Sequence, residues 1–130
     1  MRLLGLIVLM GLAGPVAAQD ADRGEAIFGF YCATCHGVTA EGNGPMSPSL
    51  VVQPTNLTAL AAGNGGVFPV SRIVMRIDGR DPLVSHGSAM PVYGDFFAGS
   101  DVATKAETGQ PIMTSQPIVD LLAFLQGVQQ

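Results

Sequence analysis

Cys32-Ala33-Thr34-Cys35-His36 is an uninterrupted C-x-x-C-H, and it uses both cysteines of the 130-residue chain. Two thiols three positions apart at the end of a helix can each add to one vinyl group of a haem, forming thioethers. The histidine directly after the second thiol is then held beneath the iron, where its imidazole becomes an axial ligand. The pattern therefore reads as one haem c attached through Cys32 and Cys35, with His36 on the iron. Two other chemistries use cysteines at this spacing. A thioredoxin-like dithiol wants a strand before the motif and a helix after it. Here the residues before the motif read as a helix, and those after it are rich in glycine and proline. A zinc site needs four ligands, and the chain offers Cys32, Cys35, His36 and His86. Zinc and a plain disulfide are the competing readings.

One histidine leaves the other face of an iron open. The candidates for it are Met46, Met75, Met90, Met113 and His86. Met75 sits among arginines, off the apolar stripe of its helix, and is expected to point outward. Met113 lies in a polar segment close to the last helix, and Met46 follows the motif too closely to cross the ring. His86 reads as a solvent-facing loop residue. Met90 is the best placed. It stands in Ser88-Ala89-Met90-Pro91, where small neighbours let the backbone approach a ligand and proline fixes the path.

These residues need elements to carry them, and three segments show helical periodicity. Gly24, Ile27, Phe28 and Tyr31 fall at i, i+3, i+4, i+7, with Asp20 as the N-cap and Asp22 and Glu25 near the positive end of the dipole. This helix delivers Cys32 at its C-terminus. Val70, Ile73, Val74 and Ile77 repeat the spacing between Pro69 and Gly79. Ile118, Leu121, Leu122 and Leu125 repeat it again, with Ser115 as cap, Pro117 in the first turn and Gly127 at the end. Leu57 to Ala62 reads as a short extra helix, and residues 37–56, 63–66 and 79–94 read as loops. Residues 99–115 read as a polar connection without regular structure, and no alternating run argues for a sheet. The expected fold is all-α, three main helices around one haem.

Residues 1–18 read as an export signal: Arg2, a short apolar run from Leu3 to Leu12, then Gly14-Pro15 and small residues before Gln19. The run is too short and too glycine-rich for a spanning helix of about 20 residues, which argues against an uncleaved anchor. Cleavage leaves one domain, residues 19–130, which is expected in the periplasm and does not span the membrane. The mature chain carries five basic residues against ten acidic ones, a formal charge of −5. That balance argues against nucleic acid as a partner. With 17 glycines, eight aromatic residues and no tryptophan, the chain has little bulk for a core of its own. A large, flat apolar cofactor would supply that bulk.

Over essentially all of its mature length the chain resembles the class I c-type cytochromes. The likeness rests on Gly24 and Phe28 before the motif, Cys32-x-x-Cys35-His36, Pro48-x-Leu50, Asn56-Leu57-Thr58, Ile77-x-Gly79, Met90-Pro91, and the last helix around Leu121-Leu122-Ala123-Phe124-Leu125. The resemblance implies that His36 and Met90 ligate the haem iron from opposite sides. It implies a crossing of the first and last helices that pairs Gly24 with Phe124. It also implies a proline carbonyl orienting His36, supplied by Pro48 or Pro45, with Pro48 favoured. The function then expected is single-electron transfer between a donor and an acceptor redox protein, without catalysis. Two alternatives remain beside it: a haem-based ligand sensor or gas-binding protein, and a fixed cytochrome subunit of a dehydrogenase or oxidase complex.

Overall fold

The computed structural model describes residues 18–82 and 88–130. Of the export-signal reading of residues 1–18, all but residue 18 lies outside the described residues, as does the reading of His86. Among those described there are four α-helices, three single-turn 3-10 segments and one two-stranded sheet.

The first helix, α1 (Ala21–Tyr31), starts where an acceptor side chain satisfies its orphan donors: Arg23 N donates to Asp20 Oδ1 at 3.0 Å. Its Gly24 lies against the last helix, α4 (Gln116–Gly127). A Cβ built on Gly24 would stand 2.0 Å from the Asp120 carbonyl oxygen, so only glycine admits this crossing. The partner of Gly24 is therefore the backbone at Asp120, not Phe124 as the resemblance implied. Phe124 lies one helical turn further along and packs on Phe28, ring centroids 5.1 Å apart. The two features the family pairs are thus adjacent layers of one interface.

The same crossing buries a carboxylate. Asp120 is 1% exposed; its Oδ1 accepts from Asp20 N at 3.1 Å and Gln116 Nε2 at 2.7 Å, and its Oδ2 lies 3.6 Å from Arg23 Nε. Buried charge is costly unless bonded, and these donors tie the start of α1 to the start of α4. At the head of α4, Ser115 holds the expected N-cap position, but its hydroxyl makes no capping bond and is buried without a partner.

Between them lie the short α2 (Ala33–His36) and α3 (Val70–Asp78). Pro69 opens α3 and Gly79 closes it in the left-handed region at φ 85°, as the sequence suggested. Val70, Ile73, Val74 and Ile77 are buried and join Phe28, Ile118, Leu121, Leu122 and Leu125 in one core. In place of one helix over Leu57 to Ala62, the chain makes a 3-10 turn at Leu57–Ala59 and starts a second, Ala62–Asn64, at its end. The C-terminal tail fastens them: Gln129 accepts from Ala61 N at 2.9 Å and donates to Leu57 O at 2.8 Å.

Residues 99–115 correct the all-α expectation. They contain β1 (Asp101–Lys105) and β2 (Pro111–Ser115), paired antiparallel from Asp101↔Ser115 to Lys105↔Pro111. Thr104 and Thr114 are buried and Val102 and Ile112 half-buried, so the inward face does alternate. It is half threonine, which made the period-2 signal too faint to read. Gly109 turns the chain at φ 86°.

Candidate haem-binding cavity

The C-terminus of α1 places the motif. Cys32 caps that helix, its N–H donating to Phe28 O at 2.8 Å. Cys35 N and His36 N in turn donate to Cys32 O at 3.1 and 2.9 Å. Both thiols and the imidazole therefore sit on a single turn. Gly37, at φ 79°, ends it. The following loop folds back hard against the motif. A Cβ on Gly44 would lie 2.5 Å from Thr34 O and 2.6 Å from Cys35 O, so the loop backbone runs directly over the α2 backbone.

That return brings a carbonyl to the histidine. His36 Nδ1 lies 3.0 Å from Thr55 O. The expected proline carbonyl is thus replaced: Pro48 lies in the 3-10 turn Ser47–Ser49 and Pro45 just before it, both exposed, while Thr55 follows Pro54. With Nδ1 donating, Nε2 carries the lone pair that a metal needs. Burial pulls the His36 pKa below its ordinary value, and the Thr55 carbonyl opposes this only in part. The ring is therefore neutral at neutral pH, the form that can ligate.

Cys32, Cys35, His36 and Met90 line one cavity of about 700 Å³. Cavities of a few hundred to about 1,000 Å³ with mostly apolar walls are typical of cofactor sites. The walls here come from the core faces of every helix that meets it: Phe28 of α1, Ile73 and Ile77 of α3, Leu121 and Leu125 of α4. Among the described residues Met90 is the only methionine that lines the cavity. Met46 and Met113 are exposed, and Met75 is half-buried on α3.

Met90 itself is half-buried and packs against the core. Its amide donates to Ser88 Oγ at 3.2 Å. The chain beyond it docks on the end of α3: Tyr93 N donates to Ile77 O at 2.8 Å, and a Cβ on Gly94 would stand 2.4 Å from Asp78 O. Tyr93 Oη also donates to Tyr31 O at 3.2 Å, tying the Met90 segment to the helix that carries the motif.

The electrostatics suit an apolar guest with a charged edge. Burial, then the neighbouring Cys35, pushes the Cys32 thiol up to about 11, so it stays protonated at neutral pH. Burial likewise raises Tyr93, with the two cysteines adding to it. Arg72 and Arg76 are the charged residues lining the cavity, and Arg76 pairs with Asp81 at 3.3 Å. Haem has this character: an apolar macrocycle, two vinyl groups for thiols, and two carboxylates for guanidinium groups. The residues present fit it.

Sequence reasoning missed Thr55 because it acts through its carbonyl, which every residue type supplies. It also missed Tyr93, whose role comes from the path of the chain after Pro91.

A cytochrome c family model matches residues 21–129. Comparison with curated proteins and with solved structures finds no match to the chain. The match spans α1 to the end of α4 and includes all four cavity residues named from the sequence, and the chain accordingly belongs to the cytochrome c family.

Proposed function

We propose that this protein is an exported single-haem electron carrier of the periplasm, its haem c bonded to Cys32 and Cys35 and ligated by His36 and Met90. The observation that carries the proposal is that these four side chains, separated by up to 58 positions between Cys32 and Met90, line one apolar cavity. Haem bound there would supply a one-electron iron(III)/iron(II) couple.

The chain's own contribution is positioning. The Thr55 carbonyl holds the His36 ring and its tautomer. The docking of Tyr93 and Gly94 on α3 holds the segment that presents the Met90 thioether. Both ligating groups are neutral and remain so in either oxidation state, so little in the protein has to move as an electron arrives. Methionine paired with histidine favours the reduced metal and raises the potential. Arg72 and Arg76 are placed to neutralise carboxylates at the cavity, and the apolar core wall excludes water. Two protein ligands leave no vacancy for a substrate, which separates a carrier from a peroxidase or a gas sensor.

The test is mass spectrometry and a visible spectrum of protein produced in a host able to mature cytochromes. The expected mass is that of a chain beginning near Gln19 plus one haem, retained after denaturation. A mass equal to the bare polypeptide overturns the proposal. Prompt binding of carbon monoxide by the reduced protein would instead favour the sensor reading.

A further inference from the structure

The hairpin β1–β2 touches α3 at both of its ends. At the head of the helix, Ser71 N donates to Glu107 Oε2 at 2.9 Å, and that bond holds the Glu107 carboxyl below the usual range. Glu107 belongs to the hairpin turn, so a carboxylate from a remote segment caps α3 where its dipole is positive. At the foot of the helix, Arg80 Nη2 donates to Met113 O of β2 at 2.8 Å. Arg80 is itself oriented by Asp78, whose Oδ2 accepts from Arg80 Nε at 2.7 Å. Between these two bonds Ile112 packs onto the core.

The foot of α3 is also where the Met90 segment is fastened. The chain leaves through Gly79 and Arg80 and returns with Tyr93 on Ile77 O and Gly94 against Asp78 O. Arg80 therefore joins three things: the end of α3, the exit toward Met90, and the hairpin.

We propose that the hairpin is a strap that positions Met90, with Arg80 and Glu107 as its two positioning residues. The strap holds α3 in register, α3 holds the segment 88–94, and that segment holds the thioether at the cavity. This rests on the reading of Met90 as a ligand. The strap's predicted effect is on how readily another ligand displaces the thioether, not on whether the protein folds.

The test uses the haem-loaded protein with Arg80→Ala, Arg80→Lys, Glu107→Ala and the Arg80→Ala/Glu107→Ala double variant. Two quantities are read: hydrogen exchange of the Tyr93 amide, and imidazole binding to the oxidised form. Each single removal is expected to speed Tyr93 exchange and tighten imidazole binding by about fivefold, the effect of one net hydrogen bond. The double variant should go further, Arg80→Lys should recover part of the loss, and amides of α1 and α4 should be unchanged. Unchanged Tyr93 exchange and imidazole affinity in the double variant overturn the strap. Equal acceleration in α1 and α4 overturns it too, because the hairpin would then act only on global stability. If the weak red sulfur-to-iron band is missing from the unmutated protein while Tyr93 exchange still responds, the ligand reading fails and the strap stands.

Discussion

His36 and Met90 depend on backbone geometry that differs at each residue. The imidazole is oriented by one carbonyl, Thr55 O at 3.0 Å, so a side-chain change at position 55 should matter little, whereas a change in the path of residues 44–56 should matter a great deal. Among the described residues no carbonyl anchors the Met90 thioether in this way; it depends on Pro91 and on the docking of Tyr93 two residues after that proline. Methionine sulfur is a soft ligand that contributes to both the colour and the potential of the iron. Met90→Ala should therefore abolish the weak red sulfur-to-iron band of the oxidised protein and lower the potential. Met46→Ala and Met113→Ala, at exposed positions away from the cavity, should leave both unchanged. Visible spectroscopy with a redox titration decides the matter, and loss of the band in Met46→Ala or Met113→Ala would reassign the ligand.

Helix crossing and hairpin show opposite degrees of legibility. At the crossing of α1 and α4, helix propensity and packing pull Gly24 in different directions. Alanine in a helix interior is favoured over glycine by about 1 kcal/mol. A Cβ here would nevertheless meet the Asp120 backbone at 2.0 Å, and backbone cannot rotate aside as a side chain can. Overpacking of this kind costs about 1–3 kcal/mol. Gly24→Ala should lower the stability of the haem-loaded protein by that order, read from denaturant midpoints, while Gly29→Ala, with open space at its Cβ, should not. The sequence carried this interface as far as the helices, the Asp20 cap of α1 and the identity of Gly24, because apolar spacing and caps are local signals. It did not carry the actual partner, since which backbone faces a glycine is set by the crossing angle. The hairpin was illegible for another reason: with threonine at half its inward positions it lacks the apolar alternation that marks a strand. The cavity residues stand between these cases. The motif and Met90 were legible from chemistry and spacing, whereas Thr55, Glu107 and Arg80 act through contacts that only the tertiary fold creates.

Charge over the whole molecule bears on how partners meet it. The chain has one lysine, Lys105, and a formal charge of −4, or −5 if residues 1–18 are removed with Arg2. Arg72, Arg76 and Arg80 recur every four residues on and just past α3, a spacing that would gather them into one positive stripe. In the fold that stripe is largely cancelled: Arg76 pairs with Asp81 at 3.3 Å, and Arg80 pairs with Asp78 at 2.6 Å while donating to Met113 O. Surface pairs of this kind add little stability, but they remove the local field that would steer an acidic partner. At the cavity mouth Val52 and Pro91 form an exposed apolar rim among the polar Gln53, Thr55, Arg72 and Ser88, and Val92 beside Pro91 is 51% exposed. Among the described residues no helix is long and apolar enough to cross a membrane, so this rim is not part of a spanning helix there. A partner is then expected to dock by excluding water from the rim, with a rate set by short-range fit. Salt screens charge over about 10 Å at 0.1 M and leaves apolar contact almost untouched. Electron transfer from the physiological donor, followed by stopped flow, should change by less than about twofold between roughly 10 mM and 300 mM ionic strength. Val92→Asp at the rim should slow it at every salt concentration, whereas Arg72→Gln should not give it a salt dependence it lacked. A steep fall in rate with added salt would show that charge steering governs the encounter and that the apolar rim is not the docking surface.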